Sequence, residues 1–306
     1  MQYLLPVVIR CLVMRFLFFL VFGLGASLTV AAQTFAIDYR RAMQARDTAK
    51  TRKVLAAWQL KEPQNPDWYV AKFNYQLRQA YRVIVGNAPA AGRGVAVQQK
   101  DKAIGSMNEG YEPKLLAAAR TTLREGIKVA PERLDMRFGL AKSYEMTHEP
   151  AAQIEVLTVA LAERKAGGKP WRWQEGKPLP EPEAVFLPEN LEEYMLPYWQ
   201  ADTPEDAEVA RQLAELVNEY YPASSLGPFN LGMYYTMTGQ EEKGYSFFQQ
   251  ANTRRPSDWQ TLANLTRLAI KLNHKTEAQR YLADLQKLPE GRPAAADLGK
   301  EVRKMK

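Results

Sequence analysis

The sequence predicts an all-α fold: a solenoid of stacked helical hairpins with two loop insertions and a C-terminal capping helix. Three observations predict it. In FNLGMYYTMTG (229–239) a glycine, Gly232, stands among apolar residues with helical spacing, although a glycine inside a helix costs about 0.5–1 kcal/mol relative to alanine. Pro222 and Pro256 lie 34 residues apart and bracket that stretch. The same scheme then recurs upstream from Pro131 and downstream of Pro256. A period of this length marks units that cannot bury their apolar faces alone and must stack on one another.

Each element follows from the spacing. On a helix, Leu231 and Tyr235 share a face while Gly232 points sideways. After a turn at Thr238 and Gly239, a second amphipathic run places Gly244, Phe248 and Ala251 at i, i+4 and i+7, and Pro256 closes it. Two helices joined by so short a turn lie antiparallel, and glycines at 232 and 244 predict close backbone approach. Downstream, Leu262, Leu265, Ala278, Leu282 and Leu285 repeat the pattern. Upstream, Leu140, Ala141 and Tyr144 have the spacing of Leu231, Gly232 and Tyr235, with Leu157 and Ala160 in the places of Phe248 and Ala251. Leu298, Val302 and Met305 give one apolar face to a short last helix, which covers the open end of the stack.

These residues resemble the tetratricopeptide-repeat family. The signature is carried by Leu231, Gly232, Tyr235, Gly244, Phe248, Ala251 and Pro256. The match is strongest over 222–288, weaker over 113–162 and weakest over 35–86. Gln153 departs from it by standing where a small residue is usual, and Pro228 by replacing an early aromatic. The resemblance implies a right-handed solenoid whose first helices line a concave face that holds a peptide. By period, the inward residues are Phe138, Lys142, Glu145, Phe229, Met233, Met237, Arg267 and Lys271. Methionines suit adaptable peptide contact. The chaperone-binding subclass carries a lysine and asparagine cluster where Phe229 and Met233 stand here, which disfavours that partner class.

Two segments interrupt the period. Residues 87–113 are rich in glycine and alanine, and 165–190 contain AGGKPWRWQEGKPLPEPEAVFLP. The order expected is therefore a signal peptide (1–32), N-terminal repeats (33–164) with the first insertion at 87–113, the Gly/Pro/Trp insertion (165–190), and C-terminal repeats with the capping helix (191–306). Arg10 and Arg15 precede an apolar run that ends on Val30-Ala31-Ala32, the order of a secretory signal with cleavage near Ala32. A retained anchor is the rival reading, and Met1 and Met14 both qualify as starts. The expected location is exported, periplasmic or secreted, with no stable membrane span after cleavage.

Composition narrows the chemistry. Cys11 is the one cysteine and lies within the presumed signal, so the remaining chain is expected to hold no disulfide and no thiolate-bound metal. The formal net charge of +7 is spread along the chain without a dense basic stripe, which argues against nucleic acid as a partner. His148 and His274 fall at nearly equivalent turn places in different units, too far apart to share a metal. Gly92-Arg93-Gly94 lacks the rest of a phosphate loop, and no serine elbow is present. No cofactor and no catalytic residues are expected. Glu181, Glu183, Glu189, Glu192 and Glu193 cluster near the second insertion, where an acidic helix start at Glu189 to Glu193 favours the macrodipole; through them alone a hydrolase remains a third class. Trp171 and Trp173, beside Lys169, Arg172 and Lys177, either stack on a glycan ring or fold back over a helix. The leading expectation is a non-catalytic protein-interaction scaffold of the cell envelope, with a glycan- or wall-binding module as the alternative.

Overall fold

The computed structural model describes residues 30–86, 95–99 and 102–305, so most of the signal-like segment and the Gly92-Arg93-Gly94 stretch lie outside the described residues. Six helical pairs and a last helix follow in order. They are α1 (Val30–Gln44) with α2 (Thr48–Lys61), α3 (Pro66–Ala80) with α4 (Pro113–Val129), and α5 (Leu134–Glu145) with α6 (Pro150–Lys165). Then come α7 (Glu183–Ala201) with α8 (Pro204–Tyr220), α9 (Leu226–Met237) with α10 (Glu241–Arg254), α11 (Trp259–Lys271) with α12 (Lys275–Lys287), and α13 (Arg292–Val302). Partners within each pair touch, and α13 lies against α11 and α12, where Leu298 and Val302 are buried. This is the all-α hairpin solenoid with a capping helix that the period predicts.

Local chemistry sets the boundaries. The side chains of Asp47, Asn65, Glu112, Thr203 and Asp258 accept hydrogen bonds from first-turn amides at the starts of α2, α3, α4, α8 and α11, which satisfies donors that no helix can satisfy internally. Proline opens α3, α4, α6 and α8, where its missing N–H is no loss. The turn inside five of the six pairs contains one left-handed residue: Arg46 (φ 55°), His148 (φ 56°), Asp202 (φ 54°), Gly239 (φ 75°) and Asn273 (φ 60°). His148 and the neighbour of His274 are thus turn residues of equivalent conformation.

The second pair has no such turn. Tyr81–Gly86 (β1), Val95–Gln99 (β2) and Lys102–Tyr111 (β3) form an antiparallel sheet in the order β1-β3-β2 between α3 and α4. Tyr81 pairs with Tyr111 at the base, their rings edge to face at 5.8 Å. This corrects one expectation: the first insertion, expected as a loop at 87–113, is not plain loop, and strand already begins at Tyr81. The run Tyr81-Arg82-Val83-Ile84-Val85 is β-branched and aromatic, the composition that fits a pleated surface.

Three apolar clusters form the core. Trp58, Trp68, Phe73, Leu123 and Met136 anchor the N-terminal one. Leu157, Leu187, Leu191, Met195, Leu213 and Leu231 belong to the middle one, and Phe248, Leu262, Leu265, Leu285 and Leu298 to the C-terminal one. At the middle, α6 lies against α8, and two tyrosines of α7 reach back across the seam. The Tyr194 hydroxyl donates to the Phe138 carbonyl at 2.8 Å, and the Tyr198 hydroxyl donates to Gln153 Oε1 at 2.5 Å. Gln153 is fully buried. Its departure from a small residue is explained by the acceptor it supplies to Tyr198.

Candidate functional site

The first helices of the pairs carry every residue expected to face inward, and the two halves of the chain treat them differently. In the N-terminal half this surface is already covered. After Gly167 (φ 96°) ends α6, the chain turns back and Arg172 runs beside the start of α5: its N–H donates to the Glu132 carbonyl at 2.8 Å, and its carbonyl accepts from Leu134 N at 2.9 Å. The Trp173 ring stands edge to face with Phe138 of α5 at 5.9 Å and with Phe186 of α7 at 5.0 Å. Trp171 is 5% exposed, with the Arg137 guanidinium 5.4 Å from the centre of its ring and Arg137 itself paired with Glu163.

These positions correct two expectations. Trp171 offers no free ring face for a sugar, because burying a large apolar ring against α5 is the stronger force. Phe138 is buried at 7% exposure between Trp173 and Tyr194, and so is not open to a partner. Glu145 is also buried, accepting from exposed Lys142 at 2.6 Å. The basic neighbours Lys169, Arg172 and Lys177 all stay exposed.

Deeper under the same face lies an ionic core. Arg133, 4% exposed, is held by Asp67 of α3 at 2.8 Å and by Asp135 of α5 at 2.9 and 2.8 Å. Hydrogen bonding to Asp135 and the charges of both carboxylates outweigh burial and hold its guanidinium above its usual range.

The C-terminal half is open. Phe229 rests edge to face on Phe248 at 5.6 Å and is half-buried, and Met233 beside it lies with its sulfur 4.0 Å from Asn264 Nδ2. Met237 is 42% exposed. Arg267 is half-buried and donates to Asn264 Oδ1 at 3.1 Å, and it makes no ion pair among the described residues. Lys271 reaches Glu241 at 2.5 Å.

A cleft of about 140 Å³ adjoins Phe229 and is bounded by Glu192, Leu226, Arg255, Asp258 and Gln260. Glu192 was expected at a helix start. It sits instead in the middle of α7, which begins at Glu183. The amide of Asn230 lies 3.4 Å from its Oε1, and Asn230 in turn accepts from Trp199 Nε1 at 3.0 Å. Burial raises the Glu192 carboxyl above its ordinary range, and the nearby charges of Glu189, Asp258 and Glu193 push it the same way. Among the described residues, no group of three or more His, Cys, Asp or Glu is placed to hold a metal ion, and no helix is long and apolar enough to cross a membrane.

No family model matches the sequence, and no curated protein sequence matches it. Solved structures with a similar course of chain include YrrB, a TPR protein with an unusual peptide-binding site, at 10% identity over 80% of this chain and 97% of that one with a TM-score of 0.41. A tetratricopeptide repeat protein from Parabacteroides merdae shares 13% identity over 89% of this chain and 92% of that one, with a TM-score of 0.38. PilW, a type IV pilus biogenesis factor, shares 11% identity over 85% and 94%, with a TM-score of 0.37. Such scores leave the description of the fold to the packing itself. The antiparallel pairs, their left-handed turns, and Phe248 seated on Gly232 make this chain an array of stacked helical hairpins.

Proposed function

We propose that the chain is a non-catalytic protein-interaction scaffold that holds a segment of a partner protein across the first helices α7, α9 and α11. The observation that supports this is the cleft beside Phe229. It joins an apolar surface, Phe229 with Met233 and exposed Met237, to a partly buried carboxylate, Glu192, that has the Asn230 amide beside it, with Asp258 and Arg255 also lining the cleft. A partner segment suits this surface if it sets an apolar side chain on Phe229 and Met233 and a lysine or arginine next to Glu192 and Asp258. The signal-like start of the sequence supports a role in the cell envelope. The alternative of a glycan platform at Trp171 loses support from that ring's burial.

The test is affinity capture from envelope extract with the wild type, Met233→Glu and Trp173→Ala. The expected result is a partner retained by the wild type and by Trp173→Ala and lost with Met233→Glu while helicity is unchanged. Equal capture by wild type and Met233→Glu would overturn the reading.

A further inference from the structure

Residues 169–179 behave toward the rest of the chain as a bound peptide does toward its receptor. Arg172 pairs its main chain with residues 132–134 as an added strand would. Its neighbours Trp171 and Trp173 turn inward while Arg172 and Gln174 turn out. Trp173 wedges between Phe138 and Phe186, and Trp171 lies under Arg137. A tight turn follows, with Trp173 N donating to the Lys177 carbonyl at 2.7 Å, and Glu175 (φ 59°) and Gly176 (φ 72°) both left-handed. Its tip lies against α3, and Glu175 reaches Arg40 of α1 at 3.0 Å and Lys177 at 2.8 Å. Within eleven residues the segment thus touches α1, α3, α5 and α7, the first helix of four successive pairs.

We infer that the first-helix surface of α1, α3, α5 and α7 is a peptide-binding site in its own right. It is specific for an extended segment with two tryptophans in Trp-x-Trp spacing and a carboxylate two residues further on, and this chain fills it with its own residues 169–179. The chemistry is divided among named groups. Phe138 and Phe186 present ring edges to the second tryptophan, Arg137 presents a cation to the first, the main chain of 132–134 pairs the backbone, and Arg40 takes the acid. The segment's ends are exposed at Gly167 and Gly168 and again at Pro180–Pro182, so the chain can be cut on either side of the occupant away from the residues it sits on. The site is distinct from the cleft at Phe229, and its test does not depend on that reading.

The experiment uses the full chain with a protease site inserted after Gly167 and another after Glu181, cut after folding. The probe is a fluorescent synthetic peptide of residues 169–179. The expected result is unchanged helicity on cutting, exchange of the freed segment for the labelled peptide, saturable binding to the cut protein, and no binding to the uncut one. A Trp173→Ala peptide is expected to bind at least about thirtyfold more weakly, as truncation of a central aromatic anchor does. A Glu175→Lys peptide is expected to lose about two- to fivefold, the contribution of an exposed ion pair. Loss of helicity on cutting, a segment that never exchanges, or a cut protein that frees its segment and ignores the labelled peptide would each make residues 169–179 permanent core and overturn the inference.

Discussion

The ring of Phe248 rests on the backbone of Gly232: a Cβ at that position would lie 2.9 Å from its Cγ and 3.0 Å from both Cδ atoms. Gly244 completes the contact, since a Cβ there would meet Thr236 Oγ1 and the Gly232 carbonyl. Alanine at 232 would recover about 0.5–1 kcal/mol of helix propensity. Overpacking against a rigid ring costs about 1–3 kcal/mol, so the clash wins. Gly232→Ala is expected to lower stability by about 1–2 kcal/mol in urea denaturation, and adding Phe248→Leu is expected to remove the clash in part. A single variant as stable as the wild type would show that the ring moves aside freely.

Trp171 tests the insertion's place in the core. Trp171→Ala is expected to cost about 3–5 kcal/mol, the range for truncating a buried tryptophan. Lys169→Ala, on the exposed side of the same segment, is expected to change stability by less than about 0.5 kcal/mol. Similar small losses from both substitutions in thermal melts would contradict the burial of the ring.

The left-handed turns offer a gain. Arg46 adopts φ 55° and Asn273 φ 60°, a region that costs most L-residues about 1–2 kcal/mol and asparagine less. Arg46→Gly is therefore expected to raise stability by about 0.5–1 kcal/mol after the extra freedom of unfolded glycine is subtracted. Asn273→Gly should gain less. A fall in melting temperature for Arg46→Gly would mean that its side chain holds the turn.

Glu192 predicts a pH dependence with a definite sign. Its folded carboxyl lies above the unfolded value, chiefly through burial. The folded state therefore favours the protonated form, and this contribution to stability is full below the unfolded pKa and declines as pH rises through the folded one. Glu192→Gln is expected to stabilise the free protein at pH 7 and to change it little at pH 4. Once a basic partner binds, the sign for affinity reverses: binding strengthens as Glu192 ionises, and the glutamine variant loses that rise. Identical melting curves for both proteins at pH 7 would remove Glu192 from the account.

The regular units were legible because their constraints are local. Leu231, Gly232, Tyr235 and Phe248 are spaced by the helix itself, and the packing that needs them lies within one hairpin. The insertions were less so, because their placement depends on contacts distant in sequence. Nothing in the spacing of Trp171 and Trp173 says that they return to α5, and the reach of Glu175 to Arg40 spans most of the N-terminal half. The start of α7 at Glu183 falls inside the stretch 165–190 expected as an insertion, and Pro188 lies within the helix. Leu187, Leu191, Tyr194, Met195 and Tyr198, all buried, continue the helical period straight through it. Packing on that face overrode a local cost of roughly 3 kcal/mol. Glu192 consequently lies beside Asn230 and the cleft, a placement that only the correct helix start reveals.

The sheet between α3 and α4 also bears on how the array assembles. Other pairs close over turns of two to four residues, whereas α3 must wait for α4 across the whole stretch 81–112. Each doubling of a loop adds about 0.6 kcal/mol of closure entropy, so this pair forgoes about 2 kcal/mol relative to its neighbours. Strand pairing, anchored at Tyr81 and Tyr111, returns part of that by bringing the helix ends together. Nucleation accordingly favours the five pairs closed by short turns, α9–α10 and α11–α12 among them, over α3–α4. The same asymmetry should appear under native conditions, with amide hydrogens of α3 and α4 exchanging before those of α9 to α12.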